Sequence, residues 1–233
     1  MPGRLSVDGS GMDMLLPLDR TAVDDAPPVV ADQRWLAKAV EAVDRCVDRL
    51  VDDFVTHPFR HRVEHSLHVA LMSDLLAQEE LSGLYEMAGG QKTQLVHKEW
   101  PETRKRPLKK GRGNFDIAVL SPEGVAQTTT DRFLQGRIAA PIAIEIGLNY
   151  PLKHLKDDDW KLENSAVPHA YLIHFSHSLT KRDVAVEQFV ASSASTGTAQ
   201  SFSRSAFAHH DPKSGASHRK RLDEHSATPI PNA

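Results

Sequence analysis

Two acidic residues stand in this chain where acids seldom do. Asp116 interrupts the run Phe115-Asp116-Ile117-Ala118-Val119-Leu120, and Glu145 interrupts Ile142-Ala143-Ile144-Glu145-Ile146-Gly147-Leu148. Both runs are apolar apart from their one acid, and both read as buried strands. A carboxylate is rarely buried unless it is paired, hydrogen-bonded or bound to a metal. If adjacent strands bring both acids to one face, repulsion and desolvation raise the pKa of at least one of them. A hard divalent cation such as Mg²⁺ or Mn²⁺ between them would relieve that cost. The plainer alternative ends each acid at the sheet margin, in water or beside an arginine.

Two further groupings have chemical meaning. Arg104, Lys105, Arg106, Lys109, Lys110 and Arg112 set six cations within nine residues, enough local charge to bind phosphates. The same run also serves as a solubilising loop, and the net charge of −3 argues against a generally basic nucleic-acid binder. His61-Arg62-Val63-Glu64-His65 matches the inverted zinc-protease signature His-x-x-Glu-His. On a helix, His61 and His65 would share a face for zinc, with Glu64 as general base. Five residues match cheaply in a chain with thirteen histidines. His57, His61, His65 and His68 read more simply as histidines spread along a polar helix face.

The elements that must position these residues follow from periodicity. Trp35, Leu36, Ala39, Val40, Val43, Cys46, Val47, Leu50, Val51 and Phe54 recur at helical spacing, predicting an amphipathic helix over 33–54. A second helix is expected from about 60 to 80, and strands at 93–100, 115–120, 141–148 and 169–175. Ser121-Pro122-Glu123-Gly124 reads as a turn, 152–163 as a charged helix and 181–191 as a last helix. The order α-α-β-β-β-α-β-α implies an α/β domain with a central mixed four-stranded sheet and flanking helices.

Composition bounds that domain. Residues 1–31 are rich in Gly, Pro and Asp, and the chain beyond 192 turns to Ser, Ala, Thr, His and Gly. Both ends read as disordered tails around a domain at 32–191. The single cysteine, Cys46, excludes an internal disulfide and reads as a small buried hydrophobe. No signal-peptide pattern or membrane-length apolar run is present in the sequence, so a cytoplasmic location without a membrane partner is expected. Helix 33–54 and the tails are the segments left for a protein partner or a second copy.

In order, the segments Asn-Phe-Asp116-Ile-Ala-Val-Leu, Ile-Ala-Ile-Glu145-Ile-Gly147-Leu and Lys156-Asp157-Asp158-Asp159-Trp160-Lys161-Leu162 resemble the core of the PD-(D/E)XK nuclease superfamily. The resemblance covers roughly 60–178 and implies a restriction-endonuclease-like αβββαβ core, here preceded by an extra helix. It implies Glu64 as the helix acid, Asp116 and Glu145 as metal-binding carboxylates, and the carbonyl of Ile146 as a further ligand to Mg²⁺ or Mn²⁺. The family's lysine, two residues after the glutamate, is replaced by Gly147. Lys161, completing Asp158-x-x-Lys161-Leu162, is the expected substitute. The activity implied is metal-dependent hydrolysis of nucleic-acid phosphodiesters, with DNA favoured over RNA and the basic segment 104–112 holding phosphates. The alternative is a catalytically inactive nuclease fold used for nucleic-acid binding or protein assembly.

Overall fold

The computed structural model describes residues 27–105, 111–165, 167–177 and 204–223. Helix α1 spans Gln33–Thr56 and begins where Asp32 accepts hydrogen bonds from the amides of Arg34 (3.0 Å) and Trp35 (2.9 Å). That cap satisfies amides the first turn leaves without a partner. Its apolar stripe, Leu36 through Phe54, lies wholly in the core, with Cys46 buried as expected. Burial pushes the Cys46 thiol up to about 12, so it behaves as packing and not as a nucleophile. The stripe packs against α2 and against the sheet strands of this chain. Helix α2 spans Glu64–Leu76 and buries Leu67, Leu71 and Leu75. It starts later than periodicity suggested, with Val63 as its first flanking residue.

Beyond a two-residue hairpin, β1 (Tyr85–Glu86) with β2 (Lys92–Thr93), the described strands form one six-stranded sheet. Its order is β3 (Val96–Pro101), β4 (Asn114–Val119), β5 (Ile142–Leu148), β6 (His169–Ser176), β7 (Arg204–His210) and β8 (Ser217–Asp223). The strands β3, β4 and β5 run as an antiparallel meander. The next connection, through α5 (Leu152–Asn164), returns β6 parallel to β5. Between β4 and β5 lie two short helices, α3 (Pro122–Ala126) and α4 (Thr130–Leu134). The expected turn at Ser121 is therefore a helix start, its hydroxyl accepting the Gly124 amide at 3.0 Å. The same hydroxyl donates to the Val30 carbonyl, so the chain before α1 is fastened to α3.

Side-chain alternation assigns the faces. Tyr171 donates to Asp44 Oδ1 on α1 at 2.9 Å, and the Phe175 ring lies 4.7 Å from that of Phe54. The face carrying Tyr171 and Phe175 is thus the α1 face. Glu145 points to the opposite face, where α5 packs.

The C-terminal boundary needs correction. Residues beyond 192 read as a tail, yet β7 and β8 complete the sheet, with Ala206, Phe207 and Ala208 buried. A strand of Ser, Ala and His gains its stability from paired neighbours on both sides, which local composition does not register. The Asp211-Pro212-Lys213-Ser214-Gly215 hairpin, with Gly215 at φ +73°, was the legible signal. The helix expected at 181–191 and residues 1–26 lie outside the described residues.

One irregularity sits beside Asp116. The β3–β4 register passes from Lys98↔Ile117 to Trp100↔Phe115, so Glu99 and Asp116 stand between paired residues. Glu99 has φ +56°, a left-handed conformation that costs an ordinary L-residue roughly 1–2 kcal/mol. Glu99→Gly should therefore raise stability by about 1 kcal/mol in urea denaturation. Glu99→Ala, which loses the same exposed carboxylate but keeps its Cβ, should not.

Candidate functional site

Glu145 sits mid-strand in β5, fully enclosed, with no water to solvate it. Its Oε2 accepts from Lys161 Nζ at 2.6 Å, and the same ammonium lies 3.3 Å from Asp158 Oδ1. Asp158 and Lys161 are three residues apart on α5, so they share a helix face and reach the sheet together. Across β5, the β4 ladder ends at Ile117↔Ile144, and the next amide, Ile146 N–H, donates to Asp116 Oδ2 at 2.7 Å. The side chain of Asp116 thus takes over where the strand backbone stops.

Three carboxylates, Asp116, Glu145 and Asp158, face the one ammonium of Lys161. With all ionised, two negative charges stay uncompensated. Burial and then the Asp116 charge push Glu145 well above the ordinary glutamate range, against the pull of Lys161. Burial likewise raises Asp158. Lys161 stays protonated, because Glu145, Asp158 and Asp116 together outweigh its own desolvation.

Glu64 and His68 bring α2 to the same place. His68 Nε2 is 3.7 Å from Glu64 Oε1 and 3.7 Å from Asp116 Oδ2. Neither ring nitrogen of this buried histidine has a hydrogen-bond partner, nor has the buried Glu64 Oε2. The sequence placed His68 on a polar helix face; it is instead buried between two acids. The one available signal was its spacing, four residues after Glu64.

The zinc arrangement does not form. His61 precedes the helix and bonds Asp53 Oδ2 at 3.1 Å, whereas His65 is exposed on α2. The two therefore share no helix face. Among the described residues no group of three or more His, Cys, Asp or Glu is arranged to hold a metal ion as it stands. What does suit a cation is a leftover donor: Glu145 Oε1 is buried beside Asp116 without a hydrogen-bond partner. For Ile146, the amide is the group tied to the site.

The basic segment divides. Arg112 is spent on protein carbonyls, donating to Glu102 O at 3.2 Å, Gly136 O at 2.8 Å and Gln135 O. Arg104 and Lys105 leave the end of β3, near the start of β4 that carries Asp116; Arg106, Lys109 and Lys110 lie outside the described residues.

Gly147 is explained by what surrounds it. A Cβ there would lie 2.9 Å from His174 Cδ2 and 2.9 Å from Tyr150 Cδ2. His174 is buried and accepts the Tyr150 amide on Nε2 at 3.1 Å, so its imidazole is held in place, and an added side chain would have to displace the Tyr150 ring. A lysine at this position would crowd both rings, and the ammonium that reaches Glu145 comes from α5. No protein-family model, curated protein or solved structure matches the chain.

Two outcomes follow. Gly147→Ala should cost about 1–3 kcal/mol in denaturant titration, and Gly147→Lys more, through overpacking. In EDTA, the unfolded chain ionises Glu145 near about 4.3 while the folded protein retains its proton to higher pH. Its contribution to stability is therefore greatest below that value and declines as pH rises through the folded pKa. Urea midpoints between pH 5 and pH 8 should show this decline in the wild type and a flatter profile in Glu145→Gln.

Proposed function

We propose that this protein is a metal-dependent nuclease-like phosphodiesterase of the PD-(D/E)XK type, with its lysine moved from the third strand to the following helix. The observation that carries this reading is the 2.6 Å contact of Lys161 Nζ with Glu145 Oε2. Sixteen residues separate the two in sequence, yet the ammonium arrives at the acid pair whose usual lysine position is Gly147. The antiparallel meander β3–β4–β5, the α5 crossover and the parallel β6 support it further, being the element order the resemblance implies.

Asp116 and Glu145 are the residues that would hold the divalent cation, whose two charges match the surplus of the acid cluster. When bound, such an ion supplies a water of lowered pKa and offsets charge on the phosphodiester. Lys161 orients Glu145 and favours its ionised form against the burial that opposes it, and Asp158 fixes the ammonium from the other side. Arg104 and Lys105 lie where a polynucleotide backbone crossing the Asp116 end of β4 would meet positive charge.

The test is incubation of the full chain with single- and double-stranded DNA and RNA, with and without Mg²⁺ or Mn²⁺. Cleavage should need the metal and disappear in Asp116→Asn, whose amide oxygen still accepts from Ile146, so the fold persists. Lys161→Met should also lose activity. Leaving Glu145 and Asp158 without their cation costs on the order of 3–5 kcal/mol, so its folding is checked first by circular dichroism. Undiminished cleavage in Asp116→Asn would refute the assignment.

A further inference from the structure

An acidic site that takes an anionic substrate needs donors aimed at the phosphate, and two of the cations, Lys161 and Arg112, are committed to protein groups. Lys161 is buried between Glu145 and Asp158, and Arg112 is bound to three carbonyls. Gly147 contributes no side chain. The space it leaves open is taken by Tyr150, whose Cδ2 would be 2.9 Å from a Cβ at 147.

Tyr150 is placed with some precision. Asn149, at φ +60°, turns the chain back after β5, a conformation asparagine tolerates better than most residues. The Tyr150 amide is then held by His174 Nε2 at 3.1 Å, and its ring lies against that of His154, tilted by 34° with centroids 3.8 Å apart. Its hydroxyl is directed to Glu64; burial and then that carboxylate push the phenol pKa up, so the hydroxyl keeps its proton. Tyr150 is only half-buried, and so within reach of an incoming ligand.

We infer that Tyr150 takes over the substrate-facing role of the side chain absent at Gly147, its hydroxyl being the neutral donor offered to a phosphate oxygen. The inference rests on the nuclease reading and names a group which that reading lacks. In the free protein Glu64 accepts the phenolic proton; rotation about the Cζ–O bond turns the same proton to a phosphate oxygen, with no proton leaving the tyrosine. A neutral donor suits this place. It carries no charge to desolvate, and it draws no further ion pair into a cluster where Lys161 is already shared. The backbone bond to His174 and the contact with the His154 ring hold Tyr150 beside the acids before substrate arrives, the kind of placement that electrostatic preorganisation uses.

The test compares full-length wild type, Tyr150→Phe and Tyr150→Ala, with Lys161→Met as reference. A short fluorescein-labelled duplex reports binding by anisotropy in Ca²⁺ and cleavage in Mg²⁺; Mn²⁺ affinity and Tm are measured alongside. Tyr150→Phe should keep Tm and Mn²⁺ affinity while kcat falls about 100-fold, the scale for losing one preorganised donor. Tyr150→Phe cleaving as wild type, with Lys161→Met inactive, would overturn the tyrosine role and leave the nuclease reading standing. Loss in Tyr150→Ala but not in Tyr150→Phe would also overturn it, reducing Tyr150 to a ring packed over Gly147. If the wild type cleaves no polynucleotide, the nuclease reading falls and binding alone decides. A roughly tenfold weaker duplex affinity in Tyr150→Phe then supports the donor, and equal affinity refutes it.

Discussion

The structure turns on a charge imbalance in a place without water. Glu145 lies in the middle of a strand flanked on both sides by other strands and covered by α5, so the usual solvation of a carboxylate is denied it. Lys161 is the compensation, and it is divided between Glu145 and Asp158 while Asp116 faces the same group. An arrangement that removes ions from water and still leaves negative charge unbalanced is a poor device for stability. On the proposed reading, the remaining charge is supplied by the cation the site binds.

That imbalance dictates much of the surrounding geometry. The α5 crossover brings the ammonium to β5, which has Gly147 flanked by His174 and Tyr150 two residues after Glu145. Once the helix supplies the lysine, the strand position is free to become small, and the aromatic residue after the strand folds back over it. On the proposed nuclease reading, a function tied to the location of an ammonium group, and not to its place in the chain, survives such a move. On the other flank, the backbone at Asp116 leaves regular pairing on both sides, with Glu99 in a left-handed conformation across from it. Strain of this kind persists only where neighbouring structure fixes it, and it gathers at functional positions.

His68 adds a different lesson. Its two ring nitrogens lie buried between Glu64 and Asp116 without hydrogen bonds. Unsatisfied polar atoms grouped around one cluster, His68, Glu64 Oε2 and Glu145 Oε1, describe acceptor and donor capacity held in reserve. Elsewhere the core is conventional, with Phe54 against Phe175 and Tyr171 bonded to Asp44.

The sequence by itself determined α1, β4, β5 and β6, because each has an apolar period long enough to be read without its neighbours. It also singled out Asp116 and Glu145, since an acid inside an apolar strand contradicts its own surroundings; Lys161 came only through the resemblance, by completing Asp158-x-x-Lys161-Leu162. What it could not supply was anything that depends on another part of the chain. β7 and β8 are strands through pairing and packing, not through their Ser, Ala and His composition. The His61–His65 face was dissolved by a helix that starts three residues after His61, and the burial of His68 follows from where α2 meets β4. Tyr150 reads as a loop residue until the turn at Asn149 lays it over Gly147. Periodicity is a local property and survives translation into one dimension; who shares a carboxylate's last unsatisfied oxygen is decided only when distant elements pack.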